Sequence, residues 1–139
     1  MIVLDASAAL ELLLRAGRHP ALVERVLRSG ETVAAPHLLD LEVTQVLRRF
    51  VMAGELTEVR AREAIEDLRA MGIAKYPHTE FLERVWQLRA NCTAYDAVYI
   101  ALAEALGAAL ITCDARLADV PGTRVGVEVI GRSAQKGWA

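Results

Sequence analysis

The segment ALITCD at 109–114 constrains the fold of this chain more than any other stretch. Its first four residues are apolar or β-branched, with no alternation. A strand made of them must be covered on both faces. The chain opens with a second run of this kind, IVLD at 2–5. Such strands belong to parallel sheets, whose crossover helices coat both sides. Both runs also end in an acid. A carboxylate at the tip of a buried strand is costly unless it is paired, solvated or holding a cation.

The rest of the chain alternates in the same sense. Further strands are expected at 32–36, 73–77 and 125–130, and helices at 7–17, 20–30, 37–54, 57–72, 79–91 and 93–107. Ser7 is the N-cap candidate of the first helix and Gly17 its stop; Thr57 and Thr93 precede two others. Strand–helix alternation predicts an α/β fold, a parallel sheet with helices on both faces. The 139 residues, 54% of them apolar, suffice for one domain spanning 1–139, with no repeat or linker to divide it. The tail from about 131 lacks periodicity and is expected to fray. No apolar run is long enough to cross a bilayer, and the N-terminus has no basic segment of a secretion signal. Cys92 and Cys113 stand far apart, as reduced thiols of a cytoplasmic protein would. A net charge of −2 argues against a broad cationic surface and leaves room for a local basic groove.

Four acids stand where chemistry can be built. Asp5 and Asp114 close the two buried strands, and ligand sites of open α/β sheets form outside the carboxyl ends of strands. Either acid can instead cap the helix that follows. Glu42 lies one turn from Leu38, Leu39 and Val46, so it borders an apolar helix face, where an ion pair with a nearby arginine is the alternative to a functional role. Asp96 follows Thr93 by three residues, which suits a capping box, yet AYDAVYIALA is apolar on nearly every side of it. Acids that converge repel one another unless a cation is present, and Mg²⁺ or Mn²⁺ selects oxygen ligands. His19, His37 and His78 lack ligand spacing, which argues against zinc.

In order and separation, IVLDASAAL, LDLEVTQVLRR, TAYDAVYIALAEALGAALITCD and ARLADV resemble the pieces of a PIN domain, and within it of a VapC-type toxin ribonuclease. The resemblance runs from Ile2 to about Ile130. It implies a three-layer α/β/α sandwich with a central, mostly parallel sheet. It places the family's metal-binding, catalytic acids on Asp5, Glu42, Asp96 and Asp114, and its accompanying hydroxyls on Ser7 and Thr112, which would orient carboxylates or water. Asp119 is a candidate for a second metal. The implied reaction is hydrolysis of RNA by metal-activated water, with Mg²⁺ as the cofactor and Mn²⁺ as a substitute. The implied partners are the RNA, a VapB-like antitoxin that blocks the site, and a second copy of the chain. The antitoxin would lie on the apolar helices 7–16 and 37–53. Self-association would use Phe81, Val85, Trp86 and Leu88 on helix 79–91, although core packing also accounts for those residues. Candidate RNA contacts are Arg15, Arg18, Arg48, Arg49 and Arg116, each of which can equally be a solvated helix residue.

Rival classes lack their residues. A receiver domain needs paired acids after its first strand and a lysine after its last; the chain has LDAS and no lysine at 125–131. A haloacid-dehalogenase-like phosphatase needs acids one residue apart, where serine stands here. A Rossmann domain needs GxGxxG after its first strand, and none follows. A PIN-like scaffold that has lost its metals is the remaining alternative, and the presence of all four acids argues against it.

Overall fold

The computed structural model describes residues 1–131; the expected fraying of the tail lies outside them from residue 132 on. The central sheet has the order β3-β2-β1-β4-β5, with every pairing parallel. Its strands are β1 (Ile2–Leu4), β2 (Val33–Pro36), β3 (Ala74–Tyr76), β4 (Ala109–Thr112) and β5 (Val127–Val129). Strand β1 and the last three residues of β4 are buried, as their unbroken apolar sequences require.

The chain walks outward from β1 to β3, then returns to lay β4 on the other side of β1. Reversal of direction with right-handed crossovers puts the intervening helices on opposite faces. Helix α1 (Ala6–Arg15) packs against α2 (Pro20–Val23), α3 (Leu38–Met52) and α4 (Glu58–Ala70). Helix α5 (Leu82–Gln87) packs against α6 (Ala94–Leu106), which crosses β1, β2 and β4. The result is a three-layer α/β/α sandwich. Helix α6 is buried from Ala97 to Ala103 because it lies over the middle of the sheet, which is why its sequence is apolar nearly all round. It ends at Gly107, whose φ of 60° is the left-handed cap conformation.

Three local expectations are corrected. The strand IVL stops at Leu4, so the extended cap conformation falls on Asp5, and Asp5 rather than Ser7 is the N-cap of α1. The helix expected at 20–30 is one α-turn followed by a π-turn at Glu24–Arg28. In the helix expected at 79–91, a 3₁₀ turn at Thr79–Phe81 precedes a regular segment that ends at Gln87. Leu88 is core, Phe81 and Val85 are partly buried, and Trp86 is 63% exposed. No helix among the described residues is long and apolar enough to cross a membrane.

Candidate active site

The sheet order reverses between β1 and β4, and a crevice opens outside the carboxyl ends of strands at such a reversal. Register decides what meets there. Leu4 pairs with Ile111, so the next residues, Asp5 and Thr112, stand side by side. Asp114 lies two residues further along and is therefore not the register partner of Asp5 that equivalent strand ends suggest.

Asp5 is held on three sides. Its Oδ1 accepts from the Ala8 amide at 3.0 Å and from Ser7 Oγ at 2.7 Å, and its Oδ2 accepts from the Thr112 hydroxyl. Ser7 Oγ also accepts from the Cys113 amide at 3.0 Å, and Thr112 Oγ1 from the Asp114 amide at 2.9 Å. The two hydroxyls thus fasten β4 to the start of α1. Burial pushes the Asp5 carboxyl up to about 6, against the pull of these donors, and the Asp114 charge adds to the rise.

Glu42 projects from α3 toward α6, where Tyr99 Oη donates to its Oε1 at 2.6 Å. Its partner is this buried phenol rather than the arginine that the sequence offered as an alternative. Burial raises the Glu42 carboxyl and the charges of Asp96 and Asp5 raise it further, while the Tyr99 bond works downward. Asp96 sits in the first turn of α6, where Thr93 Oγ1 accepts its amide at 3.1 Å. Burial and the nearby Asp114 raise its carboxyl as well. Asp114 differs. The Arg116 guanidinium grips both its oxygens and holds it below the usual carboxylate range. Both strand-end acids cap the helix that follows, Asp5 through Ala8 and Asp114 through Arg116. For Asp5 that cap uses one oxygen only, so capping and a place in the cleft coexist.

Asp5, Ser7, Glu42, Asp96 and Asp114 all line one cleft of about 760 Å³. Its rim adds Leu10, Leu38, Leu41, Val46 and Tyr95, with the cations Arg49 and Arg116. Thr112 lies beneath the floor, fully buried. Asp119 is exposed at the end of the 3₁₀ turn Ala115–Asp119 and is not part of the cleft. Neither are Arg15, Arg18 and Arg48. Arg15 is paired with the buried Glu11, and Arg48 lies exposed on α3. Two lining residues, Leu41 and Gln45, were missed in the sequence; Gln45 lies at i+3 from Glu42 on the same helix face, while Leu41 at i−1 carries no such signal.

The donor set suits a hard divalent cation: four carboxylates, three of them destabilised as anions by burial and by one another. Among the described residues no group of three or more His, Cys, Asp or Glu side chains is placed to hold a metal ion as it stands. Glu42 keeps its bond to Tyr99, and Asp114 is engaged by Arg116.

A family model described as the PIN domain matches residues 2–123. The chain belongs to the PIN-domain family. It is 42% identical over 132 residues to Ribonuclease VapC9 of Mycobacterium tuberculosis, covering 95% of this chain and 100% of that one. Over 129 residues it is 43% identical to Ribonuclease VapC1 of the same species, covering 92% and 96%. Among solved structures, PAE2754 from Pyrobaculum aerophilum superposes with a TM-score of 0.68 at 24% identity, over 93% of this chain and 83% of that one. VapBC2 from Rickettsia felis, bound to a DNA fragment from its promoter, gives 0.68 at 13% identity over 92% and 98%. These two likenesses concern the fold of the PIN domain.

Proposed function

We propose that this PIN domain is a Mg²⁺-dependent endoribonuclease and the toxin of a VapBC-type pair. The observation that carries the reading is one cleft lined by Asp5, Glu42, Asp96 and Asp114, in a chain whose curated relatives are named VapC ribonucleases. Those four carboxylates would hold the ion. Bound there, a divalent cation lowers the pKa of water and offsets charge on a phosphodiester.

The chain's own residues supply the rest. Ser7, Thr112 and the Ala8 amide fix the rotamer of Asp5 at the cleft. Tyr99 does the same for Glu42. Arg49 and Arg116 at the rim give the RNA backbone its cationic contacts, since the cleft itself is acidic. The apolar rim, with Leu41 71% and Tyr95 63% exposed, suits an antitoxin segment that covers the cleft. Trp86 and Leu82, exposed on α5, suit contact with a second copy.

The test is cleavage of single-stranded RNA by purified protein with Mg²⁺ or Mn²⁺. EDTA is expected to abolish cleavage and added Mn²⁺ to restore it. Cleavage that continues in EDTA, or that survives Asp96→Asn at the wild-type rate, refutes the assignment.

A further inference from the structure

The bonds of Arg116 cut across the site's electrostatics. Its Nη2 donates to Asp114 Oδ2 at 2.6 Å and its Nε to Oδ1 at 3.0 Å, a two-pronged grip. Yet the guanidinium is not needed to form the turn. The cap is made by the Arg116 backbone amide, which donates to Asp114 Oδ1 at 3.0 Å whatever the side chain. The Arg116 side chain is 82% exposed and that of Asp114 24%. An ion pair whose arginine is this exposed contributes little to stability. The pair therefore contributes little to the fold, and what it does is occupy a carboxylate of the cleft. Its influence reaches Asp96 too, whose carboxyl the Arg116 charge draws down. The other rim cation, Arg49, comes from α3, whereas Arg116 comes from the turn that Asp114 itself begins.

We propose that Arg116 is a tethered counter-ion: it and a divalent cation compete for Asp114, and the arm displaced by the cation is the group that takes the phosphate of the RNA. The inference rests on the metal-nuclease reading above and adds to it the device that couples ion entry to substrate capture. Displacement needs only rotation of an exposed side chain, and the same fork geometry that fits a carboxylate fits a phosphate.

The experiment is calorimetric titration of the full chain with Mn²⁺, comparing wild type, Arg116→Gln and Asp96→Asn. Arg116→Gln is expected to bind Mn²⁺ about fivefold more tightly, as loss of an exposed competing pair allows. With Mn²⁺ present and a cleavage-resistant single-stranded RNA analogue as the probe, Arg116→Gln is expected to weaken RNA binding about fivefold relative to wild type. It should also lower the salt dependence by about one phosphate contact. Equal Mn²⁺ affinity in wild type and Arg116→Gln, with binding lost in Asp96→Asn, overturns the counter-ion and leaves the nuclease reading standing. Unchanged RNA affinity overturns the phosphate role. A wild-type protein that binds no Mn²⁺ overturns both the nuclease reading and the inference built on it.

Discussion

Replacing Asp5 with asparagine should make the protein more stable, and only above a defined pH. Burial pushes the Asp5 carboxyl up to about 6 in the folded chain, from 3.8 as a free side chain. Between those values the folded state holds a proton that the unfolded state has released, so stability falls as pH rises through that window. Above it the full penalty of a buried anion is present. About 2 pH units at ~1.36 kcal/mol each amount to about 3 kcal/mol. Asparagine removes that penalty and keeps Oδ1 as acceptor for Ser7 and the Ala8 amide. Its amide then faces Thr112, whose hydroxyl must turn round, and one hydrogen bond is worth about 1 kcal/mol. The net expectation for Asp5→Asn is a gain of about 1–2 kcal/mol at pH 7.5 and none at pH 4. The assay is urea unfolding in EDTA at both pH values, with equal m-values confirming that only stability has changed. A variant less stable than wild type at pH 7.5, or a gain that is the same at both pH values, refutes the reasoning.

Asp96→Asn should lower RNA cleavage by about 10²-fold or more, while raising the melting temperature in EDTA at pH 7.5, because burial and the Asp114 charge both disfavour the Asp96 anion. Circular dichroism melts beside a cleavage time course report both effects. Tyr99→Phe keeps the ring in the core but deletes the donor to Glu42, so Mn²⁺ affinity should fall about tenfold with a stability change near 1 kcal/mol. Metal titration and urea curves separate the two. Thr112→Val should cost about 2–3 kcal/mol, since it strips a donor from Asp5 and an acceptor from the Asp114 amide. It should also move the Asp5 carboxyl upward, as a carbon-13 NMR titration of the carboxyl groups would show.

IVLD and ALITCD were legible as buried strands because an unbroken apolar run admits few other placements. Asp96 was legible in the first turn of α6 because Thr93 announces the cap three residues before it. Register was not legible. Nothing local says that Leu4 pairs with Ile111, and so that Thr112 rather than Asp114 flanks Asp5. The bond from Tyr99 to Glu42 joins residues 57 apart through the meeting of two helices, and composition could show only that Tyr99 belongs in the core. The buried Glu11 was missed altogether. It is 1% exposed, bonded to His19 at 2.7 Å and to Arg15 at 3.4 Å. The spacing Glu11, Arg15, His19 was the available signal, one turn apart each time.

The late return of β4 to the centre of the sheet sets the moment at which the cleft comes into being. A ribosome releases Asp5 and Glu42 well before residues 109–114, and until those emerge β1 has no neighbour on one side and Asp5 no Thr112. A nascent or truncated chain that stops short of residue 109 therefore carries Asp5, Glu42 and Asp96 without the strand that sets Thr112 beside Asp5 and brings Asp114 to the cleft.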